Sequence, residues 1–193
     1  MSTEEQSIVL RQAEGLVHTP LTSSCGRLFD AVASIMNVRQ TVTYEAQAAI
    51  EFEMIAGVHS RSDRRDSLKW LDDPYPVVID DNNGHLVVNL APLLQAVASD
   101  AMDSVALPTV SRRFHATIAR VVLDICERLK TSEELNLVAL SGGCFQNRLL
   151  LHLTHHALVE SGFDVLLHRQ VPPNDGGIAL GQAAVATASI SSS

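Results

Sequence analysis

Apolar positions along the chain change period several times, and each change marks an element. In "TSSCGRLFDAVASIM", Leu28, Phe29, Val32 and Ile35 recur at helical spacing. They follow Thr22, Ser23 and Ser24, side chains suited to cap a helix start. "TYEAQAAIEFEMIAGV" predicts a second helix from about Thr43 to Ala56, stopped by Gly57. The charged, turn-rich "SRSDRRDSLKWLDDPYP" has no such period and predicts an exposed connector with a structureless middle. In "YPVVIDDNNGHLVVNL", two β-branched runs flank Asp81-Asn82-Asn83-Gly84, which predicts a hairpin. A short helix is expected in "LAPLLQAVASDAM", begun near Asn89 with Pro92 in its first turn. A longer one covers about Ser111 to Lys130, with Phe114, Ile118, Val121, Val122, Ile125 and Leu129 as its apolar stripe.

The last third alternates. "LNLVAL" reads as a strand, "CFQNRLLLHLTHHALVES" as a helix ended by Gly162, "FDVLLH" as a second strand and "GGIALGQAAVATA" as a closing helix. That order predicts an α/β arrangement with a parallel strand pair and a right-handed crossover. Residues 1–19 read as a polar lead-in and 188–193 as a disordered tail, so one domain is expected over 20–187.

Composition narrows the function classes. With 46% apolar and 19% charged residues in 193, the chain should fold around a core. Its net charge of −8, from 22 acids against 14 bases, argues against a nucleic-acid binder held by phosphate neutralisation. Cys25, Cys126 and Cys144 are scattered and suggest no disulfide framework. Neither a signal-like N-terminus nor a membrane-length apolar run is present in the sequence, and the expectation is a cytoplasmic domain without a membrane span.

Two glycine junctions carry the candidate chemistry. At Ser141-Gly142-Gly143 a strand gives way to a helix. Missing Cβ atoms allow close approach there, and free amides at a helix start favour an anion such as phosphate. Asn147, one turn later, is placed to reach a ribose or base edge. The letters match neither the P-loop nor the dinucleotide fingerprint, and a plain tight turn is the commoner reading of Gly-Gly at such a junction. In "VPPNDGGIALGQ", Asn174 is a helix cap and Asp175 lies in the first turn, ahead of Gly176 and Gly177. Spacing alone leaves Asp175 open between a helix-stabilising acid and a metal-binding carboxylate beside a phosphate site.

Other signals weigh less. His152, His155 and His156 share one helix face at a spacing that can bind zinc, but a solvent-facing cluster is the simpler reading. Cys144 has no His or acid beside it in sequence to make it a nucleophile, and Cys25 and Cys126 read as core residues. Arg27 suits either an ion pair or an oxyanion contact, and Arg148 suits a helix surface.

"TSSCGRLFDAVASIM", "YEAQAAIEFE", "LSGGCFQNRLLL" and "VPPNDGGIALGQA" together resemble the C-terminal part of HypF, the carbamoyltransferase family of [NiFe]-hydrogenase maturation, over most of residues 20–187. The resemblance implies one lobe of an actin-like, ribonuclease H-like (ASKHA) ATPase fold, with a helical N-terminal extension and an inserted hairpin. It implies ATP or carbamoyl-adenylate as ligand, with Ser141, Gly142, Gly143, Asn147, Gly176 and Gly177 at the nucleotide and Asp175 on a divalent metal ion. The carbamoyl group, supplied from carbamoyl phosphate, would pass to the C-terminal cysteine of a HypE-like acceptor protein. A histidine pair of the metal site and the adenylate-forming domains would come from an upstream HypF segment, so the chain alone is expected to be inactive. Cys144 stands where the family carries a small aliphatic residue, and Ala46 replaces the glycine of "YEGQ". A non-catalytic docking module and a generic actin-like ATPase or small-molecule kinase lobe are the alternatives. A lone lobe would expose apolar surface that a homodimer covers.

Overall fold

The computed structural model of the chain describes residues 2–15, 19–20, 22–58 and 61–191. Helix α1 (Thr3–Ala13) opens it with a capping box: Glu5 N–H donates to Ser2 Oγ at 3.2 Å, and Ser2 N–H donates to Glu5 Oε2 at 2.6 Å. This stretch of the polar lead-in is therefore helical through local capping, although it buries no residue.

Helix α2 (Cys25–Ile35) is capped by Ser24, whose Oγ accepts from Arg27 N–H at 3.4 Å. Helix α3 (Gln47–Ile55) starts later than expected because Ala46 sits in the left-handed region at φ 60°, where a helix cannot propagate. The supposed structureless connector holds helix α4 (Arg61–Ser67) and a 3₁₀ turn, Leu68–Asp72. Leu68, Trp70 and Leu71 pack on the core, and the Arg112 guanidinium lies 4.9 Å from the Trp70 ring centroid. Tyr75 is then buried, its N–H donating to Thr117 Oγ1 at 2.8 Å, with Arg113 stacked 4.3 Å over its ring. An apolar anchor every few residues, hidden among charges, orders this segment.

The hairpin forms as expected. β1 (Val78–Asn82) pairs antiparallel with β2 (His85–Asn89), and positive φ at Asn83 and Gly84 makes the two-residue turn. Helices α5 (Ala91–Met102) and α6 (Leu107–Glu133) follow; α6 begins before Ser111 because Pro108 fits its first turn, and Glu134 at φ 56° ends it. The main core joins α2, α3, α5 and α6 with Leu149, Leu150 and Leu153 of the next α-helix in the chain; Phe29 is set edge-on against Phe114 at 4.8 Å between centroids, with Phe52 beside them.

The closing third is the predicted parallel pair. β3 (Leu137–Leu140) and β4 (Asp164–Leu167) register Ala139 on Leu166 and flank α7 (Arg148–Glu160). One sheet face, Val138, Leu140, Val165 and Leu167, packs with Leu123 of α6, Leu158 of α7 and Phe163 just before β4. The opposite face is open: Leu137 is 60% and Leu166 55% exposed. Helix α8 (Ile178–Ser191) continues through the segment expected to be a disordered tail, with Leu180, Val185 and Ile190 all exposed. Residues 192–193 lie outside the described residues. No helix among the described residues is long and apolar enough to cross a membrane.

Candidate functional site

The two glycine junctions meet. Gly142 N–H donates to the carbonyl of Pro173 at 2.8 Å, which sets the end of β3 against the approach to α8. Gly142 adopts φ 104°, ψ 156°, a conformation that only glycine holds without strain. A 3₁₀ turn, Gly143–Gln146, follows before α7 begins. Among the described residues the N–H groups of Gly143 and Cys144 have no acceptor. A Cβ built on Gly143 would meet nothing within 4 Å. The Ser141 hydroxyl hydrogen-bonds His168 Nε2 at 2.9 Å across the strand ends.

The start of α7 is closed, contrary to expectation. Asn147 caps it, its Oδ1 accepting from Leu150 N–H at 2.8 Å, and Glu53 Oε1 accepts from Leu149 N–H at 3.1 Å. The Glu53 carboxyl is pushed above its ordinary range by burial, which the Leu149 and Arg148 amides oppose. The Asn147 side-chain nitrogen donates to His115 Nε2 at 2.9 Å. Both polar ends of Asn147 are thus engaged inside the domain, where a nucleotide contact was expected. The amide stretch pointing outward is the 3₁₀ turn before it.

His115 completes that link and was missed in the sequence, being a histidine inside an apolar helix. It is fully buried, and burial pushes its pKa down to about 4. Because Asn147 donates to Nε2, the ring proton sits on Nδ1 and donates to the Ser111 carbonyl at 2.7 Å. Ser111 Oγ in turn donates to the Phe52 carbonyl at 2.5 Å. Hydrogen bonds thus run from α3 through α6 to the cap of α7. The available sequence signal was Ser111 and His115 at i and i+4 on the buried face.

The second junction is built differently. Asn174 Oδ1 accepts from Gly176 N–H at 3.1 Å, and its carbonyl accepts from Gly177 N–H at 3.0 Å, so both amides are used internally. A Cβ at Gly177 would lie 2.9 Å from the Pro172 carbonyl oxygen, and one at Gly176 would lie 3.1 Å from Pro172 Cγ. Asp175 is exposed, in the 3₁₀ turn Asp175–Gly177, and has no ion pair among the described residues.

Other candidates fall away or change. Arg27 pairs with Asp30 at 3.3 Å on the surface, and Arg148 is exposed. His152, His155 and His156 are half-buried, unlike the solvent-facing cluster expected. Among the described residues no group of three His, Cys, Asp or Glu side chains is placed to hold a metal ion. Cys144 does have a partner, the thiol of Cys25, and neither is a fully buried core residue. Taken together, the described surface offers two free amides, an open glycine and one exposed carboxylate beside a backbone crossing. Such a surface can accept an oxyanion and supply one ligand to a cation; it contains no complete catalytic set.

Residues 1–182 match the family described as carbamoyltransferase, Kae1-like domain, second subdomain. The carbamoyltransferase HypF of Synechocystis sp. is 34% identical over 173 residues, covering 90% of this chain and 20% of that protein. The HypF of Rhizobium leguminosarum bv. viciae is 37% identical over 179 residues, covering 89% of this chain and 20% of that protein. A crystal structure of full-length HypF in a phosphate- and nucleotide-bound form superposes with a TM-score of 0.84 at 34% identity, over 96% of this chain and 23% of that one. The chain therefore spans about a fifth of the length of these two curated relatives.

Proposed function

The chain belongs to the HypF carbamoyltransferase family, in which it is the second subdomain of the Kae1-like domain, and from that premise we propose that its glycine crossing holds the phosphates of ATP or carbamoyl-adenylate. The observation that carries this reading is the Gly142 N–H to Pro173 carbonyl bond, since it brings a bare-backbone turn and an exposed carboxylate to one place. In this acidic chain the anion is held by local dipoles: the Gly143 and Cys144 amides. Gly143 serves close approach, because the fold itself leaves room for a side chain there.

Asp175 is the carboxylate that the glycine crossing, among the described residues, offers a divalent cation, fitting the hard-oxygen preference of magnesium. A single carboxylate does not make a site, so the remaining ligands belong to the upstream HypF segment. A bound cation would supply positive charge to the phosphates. The free amides would act alongside it, stabilising negative charge as the adenylate leaves. In the assembled protein the carbamoyl group, originating from carbamoyl phosphate, goes to the C-terminal cysteine of a HypE-like acceptor. Alone, the chain transfers nothing. It acts as the second lobe of an actin-like (ASKHA) ATPase fold, with the open faces of β3–β4 and α8 turned to the first lobe.

Calorimetric titration with ATP, with and without magnesium, tests the reading. Expected are magnesium-dependent binding by the wild type, at least about tenfold weaker binding by Gly143→Ala at unchanged melting temperature, and no magnesium effect for Asp175→Asn. Equal ATP affinity in wild type and Gly143→Ala would count against the cradle. The exposed apolar surface of α8 favours a second reading, a docking module, which predicts no ATP binding by any variant.

A further inference from the structure

Cys25 and Cys144 come from distant parts of the chain, yet they pack on the same core cluster with their thiols within interaction reach of each other. Cys25 is the first residue of α2, and Cys144 lies in the first glycine turn. The contact is close to the α2 backbone: a Cβ at Gly26 would stand 3.9 Å from Cys144 Sγ. We propose that Cys25 and Cys144 are a reversible disulfide site that ties the N-terminus of α2 to the Gly143–Gln146 turn.

Three features carry the proposal. Both side chains are only partly buried, so a small oxidant reaches them. The turn faces open space, since nothing lies within 4 Å of a Cβ at Gly142 or Gly143, so drawing the two sulfurs together to an S–S bond of about 2.05 Å meets no neighbour on that side. The pair is also asymmetric. Contact with the Cys25 thiol lowers Cys144 below its ordinary value, against burial and the Asp30 charge, while the same contact together with burial raises Cys25. Cys144 is therefore the attacking sulfur and Cys25 the resolving one.

The oxidant is a low-molecular-weight disulfide, R–S–S–R. The Cys144 thiolate attacks one of its sulfurs, forming Cys144–S–S–R and releasing RS⁻, which takes the Cys25 proton. The Cys25 thiolate then attacks Cys144 Sγ, forming the internal bond and expelling the second RS⁻, which is protonated by water. Two protein sulfurs lose two electrons in total and the external disulfide becomes two thiols. The bond pins the turn bearing the free Gly143 and Cys144 amides to α2. Cys126, in the second apolar cluster with its thiol raised by burial, is the internal control.

The test is to equilibrate the full chain with reduced and oxidised glutathione at several ratios, alkylate and map peptides by mass. Expected is a Cys25–Cys144 linked peptide lacking two hydrogens, with Cys126 fully alkylated, and alkylation of Cys144 at neutral pH at least about tenfold faster than of Cys126. In Cys25→Ser, Cys144 should stop at the glutathione mixed disulfide. Persistent mixed disulfide on wild-type Cys144 without the internal bond, equal alkylation rates, or a link through Cys126 would overturn it. The readout is covalent mass, so it stands or falls independently of nucleotide binding.

Discussion

At the second junction Gly177 is a glycine because the fold leaves no space: its Cβ would press on the Pro172 carbonyl, and its amide already serves Asn174. At the first junction Gly143 faces open space, has an ordinary φ, and keeps its amide free. Similar letters thus have different physical causes. A glycine that the fold explains says nothing about a ligand, whereas one that the fold does not explain points outward. Gly142 stands between them, fixed by its backbone conformation and bonded across to Pro173. Between the junctions, Asn147 and Glu53 close the start of α7, which leaves the 3₁₀ turn as the exposed donor group.

Substitutions separate these cases. The largest loss is expected for Asn147→Ala, about 2–4 kcal/mol in denaturant unfolding, since it removes a cap and leaves the buried His115 Nε2 without a donor. If the loss stays below about 1 kcal/mol, the link from α6 to the glycine turn is not holding the structure. Next is an acid effect of roughly 3 kcal/mol. The unfolded chain protonates His115 near its ordinary value of 6.5, while the folded chain does so only near 4, so stability falls as pH drops from 6.5 to 4 and levels off below. Glu53, raised in the folded state, offsets part of this because it gains its proton there first. Unfolding curves across that range check the sign; a rise in stability toward pH 4 would contradict the buried neutral imidazole.

Gly177→Ala should cost about 1–3 kcal/mol through overpacking. Gly143→Ala should change stability by no more than about 0.5 kcal/mol, because alanine meets no neighbour. If the two alanine variants melt alike, the contrast between the junctions is gone.

Much of the fold could be read from periodicity, because residues at the core obey it: Phe29 and Val32 in α2, Phe114 and Ile118 in α6, and the Asn-Gly hairpin. Segments 3–13 and 61–72 escaped because their order comes from a capping box and from isolated anchors such as Trp70. The helix at Thr43 was overextended because a left-handed Ala46 leaves no mark on an apolar pattern. At the candidate site, the letters located both glycine pairs and the Asn174 cap. They could not show that Asn147 turns inward to His115, a partner 32 residues away, or that Glu53 reaches α7 from α3. Those contacts depend on tertiary packing, as does the meeting of Cys25 with Cys144.

The most direct measurement is a ¹H–¹⁵N correlation spectrum of the chain during titration with magnesium-ATP. The account predicts the largest shifts at the Gly143 and Cys144 amides, smaller ones near Asp175, and none at Leu149 and Leu150, which Glu53 and Asn147 already hold. Shifts concentrated at Leu149 and Leu150, or saturating binding that leaves Gly143 and Cys144 unmoved, would contradict it.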